Sequence, residues 1–290
     1  MNLQTSSRVI KVERFEGSLP ERPLYIYLPP GYDNEPDRLY PVLYMHDGQN
    51  CFEAYAADSY VGSWRADETA DRLIAAGLME PCIIVGVGHG GAQRTAEYLP
   101  PYTTFHPKKG QESKDKRKGI NGRADRTFRY YRDDVAPFIR QQYRVLPGRE
   151  NTATCGSSMG GLFSTYIAWQ FPEFARHHAL VSPAYWTTAN GQGKMEPIER
   201  LRTGQPRHIR VWLDSGTRDA PGRGDDGRYE TSAARAALLQ NGYIEGPDFR
   251  YHLAKGAIHK ESAWAARLHL IFQFLFPPRK IGDWRPKTRD

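Results

Sequence analysis

Short apolar segments, rich in β-branched and aromatic residues, alternate along the chain with longer segments whose apolar positions have helical spacing. The short segments have the length and composition of buried strands, and the longer ones are typical of helices that cover a sheet. Eight strands are predicted: Val9–Phe15, Leu24–Leu28, Val42–Met45, Cys82–Val87, Thr152–Cys155, His178–Val181, Ile209–Leu213 and Phe249–Leu253. Five helices are predicted: Ala66–Ala76, Tyr130–Tyr143, Gly160–Phe171, Tyr229–Asn241 and Glu261–Phe276.

The order of these segments predicts the fold class. From Pro41 onward, strands and helices alternate, which is typical of a mainly parallel sheet with helices on both faces. The first two strands have no helix between them, so we expect them to pair antiparallel at one edge. No internal repeat or linker interrupts the pattern. The sequence therefore predicts a single α/β domain over residues 1–290, with about eight strands.

The basic charge of the chain is concentrated in two segments. Forty lysines and arginines against 33 aspartates and glutamates give a net charge of +7. Residues 108–126 contain eight basic and three acidic residues, and residues 279–290 contain five basic and two acidic ones. We interpret these segments as a basic loop insertion, at about 103–127, and a basic C-terminal tail. The remainder of the chain is close to neutral.

Composition excludes several protein classes. Hydrophobic residues make up 39% and aromatic residues 12% of the chain, which excludes a disordered, collagen-like or coiled-coil protein. No apolar run is long enough to span a bilayer, and the first residues lack the apolar core of a secretory signal. Cys51, Cys82 and Cys155 form no C-x-x-C pair, which predicts reduced thiols rather than disulfides or a zinc site. We expect a cytoplasmic protein with no membrane partner.

One motif carries candidate chemistry. Gly156, Ser158 and Gly160 fit the pattern G-x-S-x-G, between a predicted strand and a predicted helix. A nucleophile elbow requires this context, because the serine must lie at the apex of a sharp turn and glycines must stand where side chains would clash. The N-terminus of the following helix adds partial positive charge at the same point. Ser158 is therefore the candidate nucleophile.

A serine hydroxyl needs a base, and the base needs an acid to orient it. His259 is the candidate base, because it lies in the loop after the last predicted strand, where α/β sheets present catalytic groups. The acid should follow the preceding strand, where Asp214 and Asp219 compete. We favour Asp219, which lies farther into the loop. More remote candidates are Asp225, Asp226 and Glu230.

Another glycine-rich segment, residues 86–91, matches G-x-G-x-x-G after a predicted strand. A dinucleotide site would require a helix to begin there. Residues 93–104 contain Pro100 and Pro101 and no helical period, so we predict a loop near the active site instead.

Seven pieces of sequence, in this order, resemble the esterase branch of the α/β-hydrolases. That branch includes enterochelin, feruloyl and acetylxylan esterases, S-formylglutathione hydrolases and mycolyltransferases. The pieces are Tyr-Leu-Pro-Pro-Gly-Tyr (27–32), Tyr-Met-His-Asp-Gly-Gln-Asn-Cys-Phe (44–52), Arg-Thr-Ala-Glu-Tyr (94–98), Gly-Ser-Ser-Met-Gly-Gly (156–161), Ser-Pro-Ala-Tyr-Trp (182–186), Ser-Gly-Thr-Arg-Asp (215–219) and His259 with Trp264. The resemblance covers about Tyr25 to Phe276. It implies the α/β-hydrolase fold, and its Gly-Thr-x-Asp motif implies Asp219 as the acid.

The resemblance also implies an oxyanion hole made by two backbone amides. These are the amides of Met159, directly after the nucleophile, and Gln49, directly after Asp-Gly. Such donors act on charge that develops in the transition state. Candidates for the substrate pocket are Asp47, Arg94, Glu97, Trp186 and Trp264. Arg94 and Glu97 form either a structural ion pair or contacts with substrate.

The predicted function is hydrolysis of a small-molecule carboxylic ester through an acyl-enzyme intermediate, with no metal or organic cofactor. An acyltransferase with an alcohol or sugar acceptor is the alternative on the same fold. A module that binds nucleic acid or an acidic surface through the basic segments is a third hypothesis, which we do not favour. The sequence leaves the identity of the ester and the oligomeric state open.

Overall fold

An eight-stranded sheet organises the part of the chain that the structure, a computed structural model, describes, which is residues 6–107, 119–218 and 225–278. The strands of the described residues are β1 (Arg8–Phe15), β2 (Arg22–Leu28), β3 (Val42–His46), β4 (Ile83–Val87), β5 (Thr104–Phe105), β6 (Ile120–Asn121), β7 (Thr152–Ser157), β8 (His177–Val181), β9 (Arg210–Gly216) and β10 (Phe249–Ala254). Strands β5 and β6 form a separate antiparallel ribbon, and the other eight form the sheet.

The sheet has the order β1-β2-β4-β3-β7-β8-β9-β10. Strands β1 and β2 pair antiparallel at one edge, β2 pairs antiparallel with β4, and the remaining pairs are parallel. Every residue of β3, β4, β7 and β8 is buried, as expected for strands that are covered on both faces. The predicted mainly parallel sheet with an antiparallel edge is therefore confirmed.

The helices of the described residues are α1 (Ala66–Ala75), α2 (Arg94–Tyr98), α3 (Ala124–Arg129), α4 (Ala136–Gln142), α5 (Met159–Gln170), α6 (Glu196–Thr203), α7 (Arg228–Gln240) and α8 (Glu261–Leu275). All five predicted helices are present. The second begins earlier than predicted, because α3 continues through a π-helical segment, Tyr130–Val135, into α4. The prediction of a loop over residues 93–104 is wrong in part, since α2 forms before Pro100.

Helix α5 fixes the position of the G-x-S-x-G motif. It packs against β7 and β8 and is buried along nearly its whole length. Its first residue, Met159, therefore lies at the carboxyl edge of the sheet, directly after the turn that carries Ser158.

Only part of the predicted basic insertion belongs to the described residues. The ribbon of β5 and β6 joins its two ends, and α3 begins within it at Ala124. Residues 108–118 and the predicted tail, 279–290, lie outside the described residues.

Two sequence-based expectations concern the whole described chain. Cys51, Cys82 and Cys155 are buried and unpaired, so the prediction of free thiols is confirmed. Within residues 6–107, 119–218 and 225–278, no helix has the length and apolar character needed to cross a membrane.

Candidate active site

Polar residues meet where neighbouring parallel strands end. Ser158 directly follows β7, Ser182 directly follows β8, and Asp214 lies near the end of β9. The strand register places Ser157 beside Val181, and Val181 beside Asp214. Because the carboxyl ends of parallel strands share one edge, these residues form one polar cluster, at the place where open α/β sheets bind ligands.

Ser158 lies at the apex of a strained turn between β7 and α5. Its backbone dihedrals are φ 56° and ψ −120°, a conformation that residues other than glycine rarely adopt. The turn is held on both sides, since the Ser158 N–H donates to the Val181 carbonyl over 3.0 Å and the Ser158 carbonyl accepts from Leu162 and Ala184. Strained residues held in this way are concentrated at functional sites.

Close approach of the neighbouring β3 and β8 explains Gly156 of the motif and Gly161, the glycine directly after the motif. A Cβ atom on Gly156 would lie 2.5 Å from Cδ2 of His46, and one on Gly161 would lie 2.8 Å from the Val181 carbonyl oxygen. The space at Gly160 is less restricted, with the nearest atom at 3.3 Å. The sequence-based argument that side chains would clash is therefore confirmed most strongly at Gly156.

His259 contacts a carboxylate that the sequence analysis ranked as remote. Its Nδ1 lies 2.7 Å from Oδ1 of Asp226, and its ring packs edge-on against Trp264, with 4.9 Å between the ring centroids. Asp219 lies outside the described residues. The contact shifts the candidate acid from Asp219 to Asp226, which precedes α7 in the loop after β9.

The second oxygen of Asp226 is also fixed. Oδ2 accepts a hydrogen bond from Oγ of Ser182 over 2.7 Å and another from the backbone N–H of Gly216. The Asp226 side chain is completely buried. A carboxylate with three donors around it is held in one orientation.

Asp214, the other carboxylate weighed from the sequence, is engaged elsewhere. Arg267 donates two hydrogen bonds to the Asp214 carboxylate, of 3.0 and 2.9 Å, and Nε1 of Trp212 donates a third over 2.7 Å. All three side chains are buried. Asp214 therefore acts as the partner of a buried arginine and does not contact His259.

Asp47 turns the chain sharply at the end of β3. It adopts a left-handed conformation, with φ 58°, and its N–H donates to the Tyr98 hydroxyl over 3.1 Å. Arg94 holds the Asp47 carboxylate with two hydrogen bonds, of 2.6 and 2.7 Å. Burial alone raises the pKa of this carboxyl, but the charge and hydrogen bonds of Arg94 outweigh burial and bring the pKa below its ordinary value.

The two backbone amides predicted for an oxyanion hole belong to the turns after β3 and β7. Met159 is the first residue of α5, so its N–H has no partner within the helix. Gln49 is the central residue of a 3-10 turn over residues 48–50. The hydrogen bonds of that turn are donated by the N–H groups of Asn50 and Cys51, and not by that of Gln49. Both amides are thus left outside the hydrogen bonds of their own turns.

Arg94 and Glu97 do not pair with each other, which was one of the two alternatives for these residues. Each belongs to a different ion pair, because Arg94 pairs with Asp47 and Glu97 pairs with Arg22 over 2.9 and 3.0 Å. The pair of Glu97 and Arg22 is fully buried, whereas the Arg94 side chain is 27% exposed. Of the two, only Arg94 keeps a solvent-accessible surface near the turn of Asp47.

The two tryptophans predicted for the pocket differ in exposure. Trp186 is 52% exposed and packs edge-on against Phe105 of β5, so it stands at the ribbon that carries the basic insertion. Trp264 lies in the first turn of α8 and is buried, and its Nε1 donates to Oγ of Ser182 over 3.0 Å. Trp264 therefore stabilises the polar cluster through its hydrogen bond to Ser182.

Glu261 lies close to the candidate site, and the sequence analysis did not single it out. It is the first residue of α8, two positions after His259, and burial raises the pKa of its carboxyl. The nearby charge of Asp47 acts in the same direction, while His259 and Arg94 act against it. A glutamate at the start of a helix is common, so its sequence position gave no functional signal.

His46 supports the turn of Asp47 from inside the protein. Its two ring nitrogens lie 2.9 Å from the Tyr131 hydroxyl and 2.9 Å from the Ser164 hydroxyl. Burial lowers the pKa of His46 to about 3, so the ring is neutral. Among the residues that the structure describes, no group of three or more His, Cys, Asp and Glu side chains is arranged to hold a metal ion.

Comparison with known proteins identifies several related chains. The model of the family described as "Putative esterase" matches residues 20–275. Endo-1,4-beta-xylanase Y of Acetivibrio thermocellus is 22% identical over 93% of this chain, which spans only 23% of that protein. Ferri-bacillibactin esterase BesA of Bacillus subtilis is 22% identical, over 67% of this chain and 65% of its own. A ferulic acid esterase structure from Anaeromyces mucronatus is 24% identical over 92% of this chain and 90% of its own, with a TM-score of 0.65.

Proposed function

As a member of the "Putative esterase" family with the α/β-hydrolase fold, the chain belongs among the carboxylic-ester hydrolases, and we propose that it cleaves its ester through Ser158, His259 and Asp226. In this proposal Ser158 is the nucleophile, His259 is the general base and Asp226 is the acid that orients the imidazole. The amides of Met159 and Gln49 bind the oxyanion.

The contact between His259 and Asp226 is the observation that carries the proposal. An ionised carboxylate accepts hydrogen bonds only, so Nδ1 of His259 must carry the proton that it donates to Asp226. The other ring nitrogen, Nε2, is then left with a lone pair. That tautomer is the one a general base requires.

The reaction follows from these roles. Nε2 of His259 takes the proton of the Ser158 hydroxyl as the serine oxygen attacks the ester carbonyl, and the two amides stabilise the negative charge on the carbonyl oxygen. When the tetrahedral intermediate collapses, the C–O bond to the alcohol breaks and His259 gives the alcohol its proton. Water then attacks the acyl-enzyme with the same help, and the acid leaves from Ser158.

Two features of the site support rapid formation of the oxyanion. The strained turns at Ser158 and Asp47 are both held by hydrogen bonds before any substrate binds. Such preorganised donors need little rearrangement in the transition state, and each is commonly worth about 3–4 kcal/mol of the barrier.

Hydrolysis of p-nitrophenyl acetate, followed as release of p-nitrophenol and free acid, tests the proposal. Ser158→Ala is expected to lose activity by several orders of magnitude. Ser157→Ala is the matched control, because Ser157 is the adjacent serine but lies within β7. Equal rates for Ser158→Ala and the wild type would refute the proposal. A substrate panel should include ferulate esters and ferri-bacillibactin, since two of the related proteins are named as esterases of these compounds.

A further inference from the structure

The hydroxyl of Ser182 lies directly behind Asp226 and takes part in three hydrogen bonds. Nε1 of Trp264 lies 3.0 Å from this oxygen, Nη2 of Arg267 lies 2.8 Å from it, and Oδ2 of Asp226 lies 2.7 Å from it. All four side chains are buried. The hydroxyl therefore has as many partners as its chemistry allows.

The chemistry of these partners fixes the direction of each hydrogen bond. An indole N–H and a guanidinium N–H can only donate, so Trp264 and Arg267 occupy the two lone pairs of the Ser182 oxygen. The single O–H of Ser182 is then left for Asp226. This hydrogen bond lies on the opposite carboxylate oxygen from the one that contacts His259.

We propose that Ser182 is a positioning residue that donates to Asp226, holds it towards His259, and thereby sets the pH at which His259 becomes a base. This inference rests on the proposed triad. A hydrogen bond to a carboxylate stabilises its negative charge, and a carboxylate so stabilised attracts the protonated imidazole less strongly. Ser182 thus keeps His259 neutral, and able to act as a base, at lower pH.

The backbone at Ser182 would suit glycine better than serine. Its φ is 41°, a left-handed value that disfavours every side chain relative to glycine. The conformation is held by Asp214, whose carbonyl and carboxylate oxygens accept the Ser182 N–H over 2.9 and 3.2 Å. Glycine would relieve the backbone strain, so the serine at this position has a conformational cost that its hydroxyl must offset.

Several charged groups face the pair of His259 and Asp226. Arg267 on α8 lies 3.8 Å from Asp226, and it also neutralises Asp214 on β9. Glu261 at the start of α8 is close enough to His259, Asp47 and Arg94 for their charges to act on it. Asp225 directly precedes Asp226, and His252 of β10 is the strand partner of Asp214 and is affected by the charge of Arg267. A substitution at Ser182 leaves every one of these charges in place. A change in the pH profile would therefore report the lost hydroxyl.

The pH dependence of kcat/KM in Ser182→Gly tests the proposal. Glycine removes the hydroxyl and suits the left-handed backbone. Without the O–H the carboxylate holds protonated His259 more tightly, so the acidic limb is expected to move to higher pH by about 0.5 to 1 unit. Activity at pH 6 should fall several-fold more than activity at pH 8.5.

Thr154→Val is the matched control for loss of a buried hydroxyl. Thr154 lies in β7 and shares a 2.8 Å hydrogen bond with Nδ1 of His178, away from Asp226. This variant is expected to lower the unfolding temperature without moving the acidic limb. Ser182→Ala, which keeps a Cβ, must move the limb in the same direction as Ser182→Gly.

An acidic limb that coincides with that of the wild type, or that moves to lower pH, would overturn the role of Ser182. A shift in Ser182→Gly that Ser182→Ala does not share would overturn it as well. These outcomes are distinct from failure of the triad itself. Wild-type activity that persists in Ser158→Ala would refute the proposed function, whatever the pH profile.

Discussion

Exchange of Asp226 for asparagine is expected to hold His259 in the wrong tautomer. The position of Oδ2 faces two donors, the Gly216 N–H and the Ser182 hydroxyl, so the amide oxygen of an asparagine must occupy it. The amide NH₂ then faces Nδ1 of His259, at the 2.7 Å contact that Oδ1 now makes. Nδ1 must accept, the ring proton moves to Nε2, and Nε2 can no longer take the proton of Ser158.

The expected size of the effect follows from this tautomer argument. Exchange of a triad aspartate for asparagine lowers kcat by about 10⁴-fold, which corresponds to roughly 5.5 kcal/mol of barrier. KM should change little, because Asp226 is completely buried behind His259. The unfolding temperature should stay near that of the wild type, since asparagine retains the shape and the hydrogen bonds to Gly216 and Ser182.

Steady-state hydrolysis of a p-nitrophenyl ester measures the effect, and Asp219→Asn is the matched control. Asp219 is the acid that the sequence favoured, and its exchange is expected to leave kcat near the wild-type value. The assignment would be refuted if Asp226→Asn kept kcat within tenfold of the wild type, or if Asp219→Asn lost 10⁴-fold instead.

Three further perturbations test other parts of the site and its support. Arg94→Met releases Asp47, which shapes the turn proposed to hold the oxyanion. The value of kcat should therefore fall by about 10²–10³-fold with a smaller change in KM, and an unchanged kcat would count against this role. Gly156→Ala places a Cβ atom 2.5 Å from His46, so its unfolding temperature should drop sharply, whereas Gly191→Ala, where the space is open, should unfold like the wild type. Burial lowers the pKa of His46 and His178 to about 3, below the unfolded value of 6.5, so stability is full above about pH 6.5 and is lost as the pH falls. Each of the two should lower the free energy of unfolding by about 1.4 kcal/mol per pH unit below that point, and urea unfolding with equal stability at pH 7 and pH 5 would contradict this.

The sheet and its main helices were predictable because their signals are local. Buried strands such as β4 are continuous apolar runs, and the buried positions of long helices such as α8 recur every three or four residues. Helix α2 was missed because it is only five residues long and is followed by Pro100 and Pro101. A short helix has too few residues to show a period, and its stability comes from tertiary contacts.

The candidate site was predictable only in part. The elbow at Ser158 and the loop of His259 follow from a motif and from chain order. The acid depends on which carboxylate reaches Gly216 and Ser182 in space, and Asp225, Asp226 and Glu230 all stood in the correct part of the chain. Spacing along the sequence does not decide between them.

The partners in ion pairs also cannot be read from spacing along the sequence. Arg94 and Glu97 are three residues apart on one helix, which is the spacing of a local pair. Each instead meets a partner that is distant in sequence, Asp47 for Arg94 and Arg22 for Glu97. The left-handed backbone of Ser182 likewise has no signal in the sequence, because nothing marks a serine that must adopt it.

Covalent trapping of the nucleophile shows directly whether Ser158 is the residue that reacts with the ester. The wild-type protein would be incubated with a small organic fluorophosphonate, and the intact mass and the modified residue would be determined by mass spectrometry. One adduct per chain is expected on Ser158, with loss of esterase activity in proportion to labelling, and no adduct is expected in Ser158→Ala. Esterase activity that survives complete labelling of Ser158, or stoichiometric labelling of another serine with loss of activity, would contradict it.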